Sequence, residues 1–239
     1  MHNISSYLVG LTLAWSALQS AAAQCSKEVL KGIERYALEQ YLGDNEVFAY
    51  DLTLKITPLQ STQNVKTQSH MQVMIGHNLY VNTSELVTLY ADSAQLFSVL
   101  KPSKSMVRQD LKKGTLSGYT PKELLKYVDS TTCSNLTVGA MSYTKVTCTL
   151  QKEFAASQMI DQVEYWIDPL TQKLYKAKVY YSKKSGLRHI EMIYNSIQQI
   201  PCPEHLRGPL KDLFFDPGTK VLKAKYKRYR FTDQRKVRK

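Results

Sequence analysis

Charge is missing from the start of this chain. The first 23 residues contain no Lys, Arg, Asp or Glu. An apolar run from Leu8 to Leu18 is followed by Ala21-Ala22-Ala23. Small residues before a cut are what signal peptidase accepts, so we predict that residues 1–23 are a signal peptide removed after Ala23. The apolar run is too short to cross a bilayer comfortably.

A signal peptide at residues 1–23 implies that the protein is exported. We expect the mature protein in the periplasm, with the extracellular space as the alternative. Cys25 lies just after the predicted cut, so acylation of this cysteine is a second way to process the signal. Gln24, directly before Cys25, is a poor fit to that alternative. No second long apolar run follows, so the remaining sequence does not predict a helix that spans a membrane.

Cysteine is also scarce: only four occur, and no two are spaced as Cys-x-x-Cys. An oxidising compartment favours disulfides, and four cysteines allow three pairings. Cys133 and Cys148 lie on two predicted strands joined by a turn near Gly139, so we prefer this pair, worth about 3 kcal/mol. Cys25 would then pair with Cys202. None of the four has a His in metal-ligand spacing, so we predict no metal site.

Catalytic motifs are missing as well. The sequence has no Gly-rich phosphate loop, no Gly-x-Ser-x-Gly and no His-Glu-x-x-His. The histidines beyond residue 23 are dispersed, and no nucleophile, base and orienting group can be nominated together. We therefore predict a protein that is not an enzyme and uses no cofactor. His77 or His189 beside a carboxylate in a deep polar cleft would favour the opposite conclusion.

What the chain does have is a long series of strand signals. Between Gln68 and Met106, apolar and polar residues alternate with period two, which predicts three or four neighbouring strands with one apolar face. Met71, Val73 and Ile75 show the alternation clearly. The same kind of signal predicts further strands at 45–57, 145–150, 162–168, 174–181 and 187–197.

Two helices are predicted beside these strands. Ser26 to Tyr41 carries apolar residues at helical spacing, and Gly43 can end it. Thr120-Pro121 with Glu123 forms a helix start, which predicts a short helix from Pro121 to Asp129. A long twisted sheet curls, so we predict an α+β fold in which a strongly curved antiparallel sheet forms a half-open barrel. The N-terminal and inserted helices would cover its concave face.

Most of the net charge of +12 lies at the C-terminal end. From Thr219 to Lys239 there are ten basic residues and one acid, so this segment carries +9. We predict a single domain at 24–218 and a basic C-terminal strand and tail at 219–239. The cations either keep an edge strand from pairing with other chains or bind an anionic surface. The residues proposed for that binding are Lys225, Lys227, Arg228 and Arg230. Nucleic acid is not expected as a partner, because the exported chain has no recognisable binding motif.

The order of these elements resembles the LolA-like superfamily of exported bacterial lipoprotein and lipid carriers. The resemblance covers roughly Glu28 to Ile200. It rests on the predicted N-terminal helix and on six segments that follow it: Phe48–Ile56, Leu79-Tyr80, Leu89–Asp92, Gln95–Pro102, Thr120–Leu125 and Tyr165–Thr171. In such carriers the sheet is an unclosed barrel, and acyl chains bind in a hydrophobic cavity beneath the helices.

The resemblance implies a non-enzymatic carrier or sensor for an apolar ligand such as a lipid or acyl chain. An anionic membrane surface or an envelope protein is the alternative partner, reached through the basic C-terminal strand. The same apolar residues would equally fill an ordinary closed core. The candidate wall residues are Leu52, Leu54, Met71, Val73, Ile75, Leu89, Phe97 and Val99, with Leu124 and Leu125 as a lid.

Overall fold

Thirteen strands form one sheet in the part of the chain that the structure describes. The structure is a computed structural model, and it describes residues 23–25, 29, 33, 42–59, 67–111 and 126–235. The strands are β1 (Ala23–Gln24), β2 (Glu46–Pro58), β3 (Thr67–Gly76), β4 (Leu79–Ser84), β5 (Val87–Ala91), β6 (Gln95–Leu100), β7 (Ser105–Asp110), β8 (Val128–Val138), β9 (Met141–Leu150), β10 (Ile160–Ile167), β11 (Leu174–Tyr181), β12 (Leu187–Pro201) and β13 (Arg230–Asp233).

Helical structure among the described residues is short. Helix α1 spans Lys152–Gln158 and helix α2 spans Lys211–Phe214. Single 3₁₀ turns lie at Lys183–Ser185, Glu204–Leu206 and Ala224–Tyr226.

Two antiparallel meanders, β2–β7 and β8–β12, make up the sheet. They are joined at its centre, where β12 pairs with β2 through 13 residue pairs from Leu187 to Pro201. The edges are β1, which pairs with β8, and β13, which pairs in parallel with β7. The sheet is therefore curved, unclosed and mostly antiparallel, which confirms the coarse fold prediction.

Register assigns every strand residue to one of two faces, because directly paired residues point the same way. We call one side the core face; it includes Tyr50 with its partners Val73 and Ile197. It continues across the second meander through Val179, opposite Val163. The other side is the reverse face. This division decides which predicted site residues can meet.

The N-terminal region contacts the core face. Val29 and Ile33 are helical and pack against the apolar cluster built around Val146, Val163 and Tyr165. The rest of the predicted helix Ser26–Tyr41 lies outside the described residues, as do residues 1–22 of the predicted signal peptide.

A disulfide joins Cys25 to Cys133, with a Cα–Cα distance of 5.0 Å. The predicted pairs Cys133–Cys148 and Cys25–Cys202 are therefore wrong. Cys148 lies opposite Thr131, two residues from Cys133, and such diagonal neighbours are roughly 7–8 Å apart, beyond disulfide reach. β1 ends at Gln24, opposite Thr132, and Cys25 directly after that strand comes within disulfide reach of Cys133. Cys148 and Cys202 are both buried free thiols.

The predicted helix from Pro121 to Asp129 is wrong at its C-terminal end. Val128 and Asp129 are the first residues of β8, so a helix that runs to Asp129 is wrong. Tyr127 sits in a turn and stacks on Phe154 of α1 at 3.9 Å between ring centroids. The predicted lid residues Leu124 and Leu125 lie outside the described residues.

The segment after β12 folds back over the reverse face. Phe214 of α2 is fully buried and stacks on Phe97 of β6, with ring centroids 4.4 Å apart. Leu210, Phe215 and Tyr226 complete the same cluster. The C-terminal segment is thus an integral layer over β4–β7, and β13 is its last described element.

Candidate functional site

Six of the predicted wall residues share the core face of the first meander. Leu52 lies opposite Met71, and Val73 lies between Tyr50 and Asn82. Leu89 is opposite Asn82 on the next strand. The six residues, which we call the apolar wall, are Leu52, Leu54, Met71, Val73, Ile75 and Leu89.

Phe97 and Val99 do not belong to this wall. On β5, Leu89 faces Ser98 and Tyr90 faces Phe97, so Phe97 points to the reverse face. Val99 shares that direction. Both side chains are at most 5% exposed, and both are covered by the C-terminal segment. Their assignment to the same surface as Leu89 is therefore wrong, and they are core residues of a second layer.

The core face is closed over β9–β11 and only partly covered over β2–β5 and β12. Val146, Val163 and Tyr165 of the second meander are at most 2% exposed, and Val29 and Ile33 pack in the same cluster. In the first meander, Leu54, Met71, Ile75 and Leu89 are only half-buried. Leu42 is the described residue that packs with the wall from outside the strands.

Two tyrosines beside the wall were missed as candidates. Tyr80 lies opposite Ile75, and Tyr194 lies opposite Leu52. Tyr80 accepts a hydrogen bond from Asn82 at 3.1 Å, and burial raises its pKa. Burial raises the pKa of Tyr194 to about 12. The alternation in 187–197 was the signal that placed Tyr194 on an apolar face.

The four predicted anion-binding residues are all exposed on the C-terminal segment. Lys225, Lys227 and Arg228 lie in or just after the last 3₁₀ turn, and Arg230 begins β13. The backbone N–H of Arg230 donates to the carbonyl of Lys104 at 2.8 Å, which places the exposed Lys104 turn beside them. None of the four forms an ion pair with another described residue.

The reverse face of the second meander carries a row of opposite charges. Glu164, Lys178, Glu191 and Lys55 occupy neighbouring positions on successive strands. Glu164 is buried and accepts hydrogen bonds from Gln162 at 3.0 Å and from the Tyr180 hydroxyl at 3.2 Å. Such cross-strand pairs stabilise a sheet.

The histidines flagged by the sequence occupy ordinary structural positions. His189 Nε2 is 3.1 Å from Thr57 Oγ1 and 4.0 Å from Glu191 Oε1, at the edge of the charged row. His77 Nε2 lies 3.2 Å from the carbonyl oxygen of Leu42. Within the described ranges, no group of three or more His, Cys, Asp or Glu residues is placed to hold a metal ion. The helices described there are also too short or too polar to cross a membrane.

No protein-family model matches the chain, and no curated protein matches it. Its neighbours among solved structures include LolA superfamily proteins. One from Nitrosomonas europaea is 11% identical over 76% of this chain and 97% of its own, with a TM-score of 0.35.

Two further neighbours among the solved structures cover a similar share of this chain. A putative outer membrane lipoprotein-sorting protein domain from Vibrio parahaemolyticus is 8% identical over 77% of this chain and 97% of its own, with a TM-score of 0.37. An uncharacterized conserved protein from Thermus thermophilus is 9% identical over 87% of this chain and 98% of its own, with a TM-score of 0.44. At these values, function has to be argued from the residues of this chain.

Proposed function

We propose that this protein is an exported, non-enzymatic carrier or sensor that holds an apolar ligand, such as an acyl chain, against the apolar wall of its first meander. The observation that carries the proposal is the unequal cover of one continuous core face. The face is closed over β9–β11, whereas Leu54, Met71, Ile75 and Leu89 keep exposed apolar surface.

Geometry supports an elongated ligand. Core-face positions repeat every second residue, so the stretch from Phe48 to Ile56 on β2 spans roughly 27 Å. That length suits an extended alkyl chain lying along the strands. Each buried CH₂ group contributes about 0.8 kcal/mol, so a chain that covers part of the wall suffices for useful affinity.

A charged substitution in the wall tests the proposal. Met71 is half-buried on the core face, whereas its neighbour Gln72 is exposed on the reverse face. We expect Met71→Lys to abolish saturable binding of a solvatochromic naphthalene dye and of a fluorescent fatty acid. Gln72→Lys adds the same charge on the same strand and should leave binding unchanged.

Native mass spectrometry of protein purified from its own compartment provides the second readout. We expect co-purified lipid on the wild-type protein and on Gln72→Lys, and its loss from Met71→Lys. Absence of both co-purified lipid and a saturable dye site in the wild type would refute the carrier function.

A second candidate function is docking to an anionic membrane surface. The observation that favours it is the exposed group Lys225, Lys227, Arg228 and Arg230, next to the turn that contains Lys104. Asp233, the acid of the same segment, is already held by Arg235 at 2.7 Å. Cations near an anionic lipid surface contribute about 1 kcal/mol each, an attraction that salt screens.

Vesicle sedimentation tests this candidate separately. Neutralising all four cations to Gln should abolish salt-sensitive binding to phosphatidylglycerol vesicles, while binding to neutral phosphatidylcholine vesicles stays absent throughout. A control variant, Lys183→Gln with Lys184→Gln, removes two exposed cations from the β11–β12 turn and should have little effect. Equal loss in the control would indicate general charge attraction, and unchanged binding in the fourfold variant would exclude the docking surface.

A further inference from the structure

A pocket of about 620 Å³ lies between the C-terminal segment and the sheet edge formed by β7 and β13. It is on the reverse face, because Phe231 pairs with Met106 and Asp233 pairs with Arg108. Its volume falls within the usual range for small-molecule sites. The pocket is separate from the apolar wall, which lies on the other side of the sheet.

Arg108 gives the pocket its chemistry. Its side chain is only 14% exposed, and its Nε and Nη2 atoms both donate to Gln95 Oε1, at 2.9 and 2.5 Å. The carboxylate nearest to its Nη1 among the described residues is Asp233, and 3.9 Å is too long for a hydrogen bond. A largely buried guanidinium therefore bonds mainly to a neutral amide.

Asp233 compensates this charge only in part, because Arg235 holds the carboxylate at hydrogen-bonding distance. Arg235 Nε lies 2.9 and 3.1 Å from the two carboxylate oxygens, and its Nη2 lies 2.7 Å from Oδ2. The pKa of Arg108 is lowered, first by burial and then by the positive charge of Arg235. Two guanidinium groups thus share Asp233, and the carboxylates of Asp92 and Asp110 act on Arg108 without an ion pair, so its Nη1 atom remains able to bind an anion.

Apolar surface adjoins this charge. Phe215 and Phe231 line the pocket and meet edge to face, with ring centroids 5.1 Å apart. Lys211 and Lys220 add cations to the lining, while Asp212 and Asp216 add acids that would repel a second negative charge. The combination suits a ligand with one anionic group and an apolar body.

We infer that this pocket binds a small amphipathic monocarboxylate, whose carboxylate accepts from Arg108 Nη1 while its aryl or alkyl body packs on Phe215 and Phe231. Charge-assisted hydrogen bonds of this kind are among the stronger polar contacts in proteins. The site is independent of the carrier function proposed above, and its failure would leave that function untouched.

Titration calorimetry with three matched probes tests the inference: 4-phenylbutyrate, the neutral 4-phenylbutanol, and acetate. We expect 4-phenylbutyrate to bind saturably, and the alcohol and acetate to bind at least roughly tenfold more weakly, since each lacks one of the two contacts. Arg108→Gln should weaken 4-phenylbutyrate by a similar factor. Lys183→Gln, at an exposed cation in the β11–β12 turn and outside the pocket, should leave its binding unchanged.

Asp233→Asn supplies a gain-of-affinity test that misfolding cannot imitate. Removing the competing carboxylate frees both guanidinium groups, so 4-phenylbutyrate should bind several-fold more tightly than to the wild type. The inference is overturned if no probe binds, if the alcohol binds as well as the carboxylate, or if Asp233→Asn weakens binding. A wild-type chain that binds acetate as tightly as 4-phenylbutyrate would overturn the amphipathic assignment.

Discussion

Glu164 and Lys178 lie directly opposite each other on β10 and β11, yet each makes its ion pair with another residue. Lys178 Nζ is 3.2 Å from Glu191 Oε1, whereas Glu164 Oε1 is 3.4 Å from Lys145 Nζ. Lys178 also lies over the Tyr180 ring, at 4.7 Å from its centroid. The reverse face thus holds a row of charges in which Lys178 pairs with Glu191 and Lys145 pairs with Glu164.

Because of this row of charges, the free energy of unfolding is expected to depend on pH. Burial alone would raise the pKa of Glu191, but the hydrogen bond and charge of Lys178 outweigh it and lower the pKa below its usual 4.5. A lowered carboxylate pKa stabilises the fold above about pH 4.5, and this contribution is lost as the pH falls through the folded value. We expect Glu191→Gln to cost about 1 kcal/mol at pH 7 and progressively less below pH 4.5, measured by urea unfolding. A cost that does not change with pH would contradict this.

The Cys25–Cys133 disulfide should be the main covalent support of the N-terminal region. It spans a sequence separation of 108, so its removal in Cys25→Ser is expected to cost about 4–5 kcal/mol of unfolding free energy in the chain-entropy model. Cys202→Ser changes a buried free thiol and serves as the control, with a smaller loss expected.

Thiol counting checks the same pairing directly. The oxidised protein should release two thiols in denaturant, from Cys148 and Cys202. In the folded state at pH 8, Cys148 should react slowly, because burial raises its pKa to about 12 and thiols react as thiolates. A count of zero in denaturant would mean that all four cysteines are bridged, contrary to the structure.

Phe214 should hold the C-terminal layer onto the sheet. It is fully buried, stacks on Phe97 and meets the Tyr90 ring edge to face at 5.3 Å. We expect Phe214→Ala to cost about 3–5 kcal/mol and to make the segment after β12 sensitive to limited proteolysis. Val221→Ala, at a position 61% exposed in the same segment, should change stability by less than about 0.5 kcal/mol.

Gly186 is expected to be required by the β11–β12 turn. Its φ of 74° lies in the left-handed region, where a Cβ costs roughly 1–2 kcal/mol. Gly186→Ala should therefore destabilise the fold by about 1 kcal/mol, measured by thermal unfolding. Gly208→Ala is the matched control, because its φ is not in that region and a Cβ there meets open space. Equal effects of the two substitutions would refute the backbone argument.

Local pattern predicted much of the sheet. The prediction for 174–181 coincides with β11, and that for 45–57 differs from β2 by one residue at each end. The turn predicted near Gly139 joins β8 to β9. These elements follow from side chains that alternate within one strand and from Gly and Pro at its ends, which are short-range properties.

The candidate site was predicted only in part. Six wall residues share one face, as period two within each strand requires. Arg108 was not nominated, because nothing near it in the sequence shows that Arg235 would occupy Asp233, or that Gln95 would be its hydrogen-bond acceptor. Gln95 lies on the neighbouring strand β6, and Asp233 and Arg235 lie in the C-terminal segment.

The sequence by itself determined most of the strands, where most of the turns fall, and that the positive charge gathers at the C-terminal end. Only the tertiary structure decided that Leu89 and Phe97 point to opposite faces and that Cys25, not Cys148, reaches Cys133. The physical reason is register: alternation sorts the side chains of one strand, but the offset between strands, set by turns and by distant pairings such as β12 with β2, decides which of them meet.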